Sequence, residues 1–129
     1  MEITTTRQLG AYGERLATRY LTDHGFVVVD RNWRCVRGEI DIVAVEGRAL
    51  VVCEVKTRSS ETFGMPFEAV GRRKLRRLRV LAGLWVDHRA AQVSWPGRPR
   101  SIADLRIDVV SILRPAAEPI TVAHLRGVE

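Results

Sequence analysis

Three ionisable residues interrupt two apolar stretches of this chain. Asp41 lies in GEIDIVAVE, and Glu54 and Lys56 lie in the following ALVVCEVKTR. Two carboxylates held side by side repel each other, and a divalent cation between them removes that penalty. Mg²⁺ prefers oxygen ligands and keeps several waters, one of which can attack a phosphodiester. A lysine beside the acids could orient or deprotonate that water.

The geometry of a β-hairpin predicts that the two acids are neighbours. A type II′ turn at Gly47-Arg48 favours glycine at its first central position and pairs Glu46 with Ala49. Asp41 then lies opposite Glu54, with Cβ atoms about 4.5–5.5 Å apart. A slip by one residue would send the two carboxylates to opposite faces of the sheet. The proposed chemistry therefore depends on this register.

The same register places Lys56 on the acid face, opposite Glu39, which becomes a candidate hydrogen-bonding partner. A solvated, ion-paired face on a half-exposed hairpin is the simpler alternative. It explains why four alternate residues would face a core, namely Ala49, Val51, Cys53 and Val55. It explains less well why Leu50 and Val52 would share the acid face, so the pattern favours a site.

The elements around this hairpin follow from hydrophobic periodicity. Helical spacing predicts helices over residues 6–24 and 67–89, and apolar runs predict strands over residues 26–34, 39–46, 49–56, 105–113 and 120–125. The predicted fold class is α/β, with a mixed sheet of about five strands flanked by helices in the order α-β-β-β-α-β-β. The length fits one domain over residues 1–129.

A basic segment between the predicted strands accounts for the whole net charge of +6. The window RRKLRRLR holds six cations and no acid, namely Arg72, Arg73, Lys74, Arg76, Arg77 and Arg79. Such a patch indicates an anionic partner, with nucleic acid favoured over a membrane surface. Arg58, just past Lys56, is a further candidate phosphate contact. A solvated helix face is the alternative.

Composition excludes several other classes of protein. The chain is 46% hydrophobic without a run of 18 apolar residues, so no membrane partner is expected. Its start, MEITTTRQLG, lacks the features of a secretory signal. Cys35 and Cys53 show no metal-binding or disulfide spacing. A cytoplasmic location is expected.

At these residues the chain resembles known proteins. An acid on one strand followed by E-x-K on the next resembles the PD-(D/E)xK nucleases, and GEIDIVA with EVKTR is similar to archaeal Holliday junction resolvases. The linked series resembles still more closely the small bacterial YraN family of predicted endonuclease-like proteins. That series comprises GERLATRYLTDHGF, RNWR, GEIDIVA, EVKTR, GMPFEAV, the following Lys74 and LRIDVV. The P-D dipeptide of the superfamily name is absent, since Ile40 precedes Asp41.

The resemblance implies a restriction-endonuclease-like core with a metal-dependent phosphodiesterase site. Asp41 and Glu54 would be ligands of Mg²⁺ or Mn²⁺, together with the backbone carbonyl of Val55. Lys56 would be the catalytic lysine. Glu14, in GERLA of the first helix, would be the helical glutamate that completes the site.

Three functions remain open at this point. The first is a Mg²⁺- or Mn²⁺-dependent endonuclease acting on branched or otherwise structured DNA. The second is a nucleic-acid-binding module on the same fold that does not cleave. The third is an accessory protein whose basic helix docks on an acidic protein surface. The resolvases that the chain resembles act as symmetric dimers, which implies a possible homodimer.

Overall fold

The computed structural model describes residues 6–59, 71–93, 104–117 and 119–128. Its elements are α1 (Thr6–Asp23), β1 (Val27–Cys35), β2 (Gly38–Glu46), β3 (Ala49–Arg58), α2 (Arg72–His88), a 3₁₀ turn (Ala90–Gln92), β4 (Asp104–Leu113) and β5 (Thr121–Leu125). The predicted order of helices and strands is confirmed. None of the described helices is long and apolar enough to cross a membrane.

The five strands form one mixed sheet in the order β1-β2-β3-β4-β5. Neighbouring strands are antiparallel except β3 and β4, which run parallel. Parallel strands need a crossover connection, and α2 lies in the connection between β3 and β4. The predicted α/β class with a five-stranded mixed sheet is therefore confirmed.

Both faces of the central strand β3 are buried. Leu50 and Val52 pack in one apolar cluster with α2, whose buried residues are Leu75, Leu78, Leu81, Ala82 and Trp85. Val51 and Cys53 pack in a second cluster with Ala17 of α1. The alternative of a half-exposed hairpin with one solvated face is wrong, because a helix covers each face.

Helix α2 begins at Arg72 after a non-helical Gly71, so the prediction of one unbroken helix over residues 67–89 is wrong. Gly71 is the N-cap residue and has extended backbone angles, φ −80° and ψ 172°. Glycine is one of the residue types that are common at an N-cap, where the backbone is not yet helical. The predicted first turn, residues 67–70, lies outside the described residues.

A buried polar cluster joins β4 to β5 and the segment after it. Asp108 is fully buried. Arg106 donates to it from two nitrogens, at 2.8 and 3.0 Å, and the backbone N–H of Gly127 donates at 3.0 Å. Nε2 of His124 lies 2.8 Å from the same carboxylate. Every lone-pair direction of Asp108 thus meets a partner, as a buried charge requires.

Helix α1 approaches β3 most closely at Gly13. A Cβ atom added there would overlap the hydroxyl of Thr57. Glycine at this position therefore sets how near α1 lies to the sheet, and with it the position of Glu14. Gly10, one turn earlier, has open space around it.

We expect Gly13→Ala to destabilise the protein by about 1–3 kcal/mol, the usual cost of overpacking. Gly10→Ala is the matched control and should stabilise by about 0.5–1 kcal/mol, because alanine is the better helix former. Urea unfolding followed by circular dichroism measures both. Equal stability of the two variants would contradict a close contact at Gly13.

Candidate active site

The β2–β3 register matches the prediction from Glu46–Ala49 to Ile42–Cys53, whereas the predicted pair of Asp41 with Glu54 lies one step beyond the described ladder. Glu46 pairs with Ala49, and the pairing continues without a shift to Ile42 opposite Cys53. Asp41 and Glu54 are the next residues on the two strands, where the described ladder ends. Beyond that point β3 continues beside β4, whereas β2 stays paired with β1. The two acids therefore lie where two strands of the sheet diverge.

The predicted pairing of Glu39 with Lys56 is wrong. Glu39 pairs instead with Arg34 of β1, and its carboxylate lies 3.1 Å from Nε of that arginine. The divergence of β2 from β3 is the reason, because it removes Lys56 from the reach of β2 pairing. The opening between the strands leaves space beside the acids.

Asp41 lies where the alternation of side chains along β2 breaks. Ile40 packs in the cluster under α2, whereas Ile42, two residues later, packs in the cluster under α1. Asn32 of β1, between the paired positions Arg31–Ile42 and Trp33–Ile40, has a left-handed φ of 53°. Asparagine is one of the few residue types that adopt this conformation readily. The broken alternation on β2 and the left-handed residue on β1 together place the side chain of Asp41 between α1 and α2.

The carboxylate of Asp41 is poised between its charged and neutral forms. Burial and the nearby charge of Glu54 raise its pKa to about 7, although its Oδ2 accepts a hydrogen bond from the backbone N–H of Val55 at 2.9 Å. The negative charge of Glu14 also raises the pKa of Asp41. The side chain thus has acids around it, which favours a proton or a cation.

Glu14 faces this site from α1, as the resemblance implies. Its pKa is raised, mainly by burial, and Arg31 opposes that shift. In the amide orientation that satisfies both groups, the nitrogen of Asn32 donates to the two oxygens of Glu14 at 2.7 and 3.1 Å. The sequence prediction assigned no role to Asn32. It lies in the RNWR motif, but only the three-dimensional contact gives the asparagine a function.

Glu54 is buried, with 7% of its surface exposed. Its Oε1 lies 2.7 Å from Nζ of Lys74 and 3.4 Å from Nζ of Lys56. Burial, and next the neighbouring Lys74, lower the pKa of Lys56, although Glu54 opposes this. Lys74, predicted only as a phosphate contact, therefore belongs to the acid site. A lowered lysine pKa is the property that a proton-transfer role needs.

Two cavities meet at the acids. One, of about 460 Å³, lies on the α2 side and contains Glu54 and Lys74. The other, of about 520 Å³, lies on the α1 side and contains Glu14 and Lys56. Asp41 lines both. Solvent space on both sides of Asp41 is what an extended polymer passing over the acids would need.

Comparisons with known proteins place this chain in a family. Residues 13–112 match the model of the uncharacterised protein family UPF0102. The chain belongs to the UPF0102 family. A UPF0102 protein of Beutenbergia cavernae is 52% identical over 93% of this chain and 94% of its own length. Relatives in Nocardioides sp. and Arthrobacter sp. are 50% and 51% identical over 93% of this chain, covering 90% and 94% of their own lengths.

The acids of this UPF0102 protein fit an open metal site better than a closed one. In residues 6–59, 71–93, 104–117 and 119–128, no three acidic, histidine or cysteine side chains form a ready cage. Mg²⁺ is typically held by one or two carboxylates, with waters and substrate phosphate completing the octahedron. Asp41 and Glu54, with the carbonyl of Val55, match that donor set, and the raised pKa of Asp41 indicates an uncompensated acid.

Five of the six cations of α2 lie on two flanks of the helix. Lys74 and Arg77 line the cavity that contains Asp41 and Glu54. Arg72, Arg76 and Arg79 surround a separate depression of about 200 Å³ beside Leu75. Arg73 is exposed. Arg58 ends β3, where its carbonyl accepts a hydrogen bond from Arg114 at 2.8 Å.

Proposed function

We propose that this UPF0102 protein is a Mg²⁺- or Mn²⁺-dependent endonuclease that hydrolyses phosphodiester bonds in structured or branched DNA. One observation carries the proposal. Asp41 has a pKa raised to about 7 by burial and by Glu54, and the two acids line one cavity. A fold stabilised only by packing would not gain from this arrangement, whereas a cation-binding site would.

The roles of the side chains follow from their contacts. Asp41 and Glu54 would hold the cation, which supplies electrostatic stabilisation of the phosphate and a more acidic water. The N–H of Val55 fixes the orientation of Asp41, and Asn32 does the same for Glu14. Lys56, whose pKa is lowered, would orient the attacking water and accept its proton.

A non-catalytic nucleic-acid-binding module is the second candidate. The contact of Glu54 with Lys74 and Lys56 favours it, because two ammonium groups already compensate one of the two acids. In such a module the cations of α2 would bind phosphates and the acids would serve only the structure. The two functions predict different outcomes for the loss of Lys56.

Cleavage of linear, flapped and four-way DNA in Mg²⁺, Mn²⁺ or EDTA tests the proposal. We expect metal-dependent cutting by the wild type and a loss of about 10²–10⁴-fold in Lys56→Ala, the usual contribution of a general base. Binding of the same DNA should persist. Arg19→Ala, which removes one exposed cation of α1, is the control for charge and should cut normally.

Three outcomes would contradict the proposed enzyme or the role of Lys56 in it. Equal cutting by wild type and Lys56→Ala would mean that another nuclease, or another residue, is responsible. Binding without any cutting by the wild type would favour the non-catalytic module. Salt-independent binding to every nucleic acid in the panel would favour an acidic protein partner instead.

A further inference from the structure

Helix α2 presents cations on two nearly opposite flanks. The inner row, Lys74 and Arg77, lines the acid cavity, and the outer row, Arg72, Arg76 and Arg79, surrounds the depression beside Leu75. At 3.6 residues per turn the centres of the two rows are about 160° apart around the helix axis. The helix therefore offers two separate anion-binding edges, with the acids beside only one of them.

Among the described residues, no carboxylate compensates the charge of the outer row, since none lies within ion-pair distance of its three guanidinium groups. Arg72 and Arg76, four residues apart, repel each other on the helix surface. The first turn also carries Arg72, Arg73 and Lys74 and no acid, at the positive end of the helix dipole. Each feature weakens the free helix, and each would be offset by bound phosphate.

The dimensions of α2 match a groove of double-helical DNA. A helix with its side chains is about 10–12 Å across, and the major groove of B-form DNA is about 12 Å wide. A helix lying in that groove has one phosphate chain on each side. Val80, an apolar residue with 45% of its surface exposed, lies between the rows and would face the base edges.

We propose that the part of the DNA substrate bound at the acid site is a B-form duplex, and that α2 lies in its major groove. The inner row contacts the strand that the acids cleave, and the outer row contacts the complementary strand. This inference rests on the proposed function and specifies its substrate. A single strand has only one phosphate chain and gains little from the outer row. An RNA duplex has a major groove too narrow for a helix.

Binding measured by fluorescence anisotropy in EDTA tests the inference without cleavage. The probes are a 20-bp DNA duplex, an RNA duplex of the same sequence and one DNA strand alone. We expect Arg76→Ala/Arg79→Ala to lose at least about tenfold in affinity for duplex DNA. The slope of log affinity against log salt should fall by about 2, since each lost phosphate contact removes about 0.9. Affinity for the single strand should change less than about twofold.

Arg15→Ala/Arg19→Ala is the matched control, because it removes two exposed cations from α1. We expect this variant to bind all three probes like the wild type. Circular dichroism of both double variants establishes that each is folded before binding is compared.

The inference and the proposed function fail differently. Equal losses on single strand and duplex, or wild-type affinity for RNA duplex equal to that for DNA duplex, would overturn the two-strand arrangement. Metal-dependent cutting that requires Lys56 would survive that result. Absence of wild-type binding to all three probes would overturn the two-strand arrangement. The cleavage assay would then decide separately whether the protein is a metal-dependent endonuclease.

Discussion

Asp41→Asn is expected to abolish metal-dependent cleavage and to make the metal-free protein more stable at pH 8. The amide keeps the size of the side chain and an oxygen that can accept the N–H of Val55. It removes a charge that Glu54 and burial disfavour. Loss of a metal-binding carboxylate should lower cleavage by about 10³-fold or more, as losses of central catalytic groups do.

The gain in stability depends on pH. Unfolded Asp41 titrates near its ordinary pKa of 3.8, whereas the folded group titrates at about 7. Folding therefore takes up a proton between these values, so the free energy of unfolding falls as pH rises from about 4 to 7. Above pH 7 the full penalty, roughly 1–4 kcal/mol, opposes folding. Asp41→Asn carries no charge at this position and therefore does not have this penalty.

Urea unfolding at pH 4, 6 and 8 measures this difference. The two proteins should be nearly equal at pH 4 and diverge towards pH 8, with the variant more stable. Asp23→Asn, at an exposed position near the end of α1, is the control and should show no such divergence. If Asp41→Asn is less stable than the wild type at pH 8, the charge of Asp41 does not oppose folding. If the same variant still cleaves DNA, Asp41 is not needed to bind the metal.

Added Mn²⁺ provides a second measurement on the same two proteins. A cation that binds only the folded wild type stabilises it by an amount that grows with the logarithm of the free cation concentration once that concentration exceeds the Kd. We expect Mn²⁺ to raise the melting temperature of the wild type and to leave that of Asp41→Asn unchanged. Equal shifts in both proteins would place the cation elsewhere.

The local sequence contained enough information for the hairpin and for the core of α2. A glycine-bearing two-residue turn fixes the pairing of Glu46 with Ala49, and the register follows residue by residue to Ile42 and Cys53. Helical spacing likewise predicted the central turns of α2. Both are short-range rules, since each involves residues that are close in the sequence or in one element.

The remaining features arise from contacts between distant segments. The approach of Lys74 to Glu54 depends on where the crossover helix docks, which no local pattern fixes. The role of Asn32 depends on a left-handed backbone conformation that faces Asp41 across the sheet. The divergence of β2 from β3 depends on β4, which enters the sheet after α2. The closeness of Asp41 and Glu54 was therefore predictable from the sequence, whereas the contacts made by Lys74 and Asn32 were not.

The second large effect is expected in the cluster around Asp108, which lies on β4 beside Cys53 of β3. Asp108→Asn should lower the free energy of unfolding at pH 7 by about 3–5 kcal/mol, the usual cost of breaking a buried ion pair by removing one partner. The change leaves Arg106 without its buried carboxylate and weakens the contacts of His124 and Gly127. The melting temperature should fall by about 10–18 °C for a chain of this size.

Measurements at low pH distinguish the loss of the Asp108 charge from a general loss of packing. The hydrogen bonds of His124 and Arg106 hold the pKa of Asp108 at about 2 despite its burial, whereas the unfolded group titrates near 3.8. Its stabilisation is therefore complete above about pH 4 and is lost as pH falls through 2. The difference between wild type and Asp108→Asn should shrink by roughly 2–3 kcal/mol over that range.

Asp104→Asn is the control, because Asp104 begins the same strand and is exposed. We expect its unfolding to match the wild type from pH 7 to pH 2. Urea unfolding at each pH, followed by circular dichroism, measures all three proteins. A difference for Asp108→Asn that stays constant down to pH 2 would mean that shape, and not the charge of the carboxylate, is what β5 requires. A difference that narrows as expected would support the interpretation that the buried charge of Asp108 holds β5 and Gly127 against the sheet.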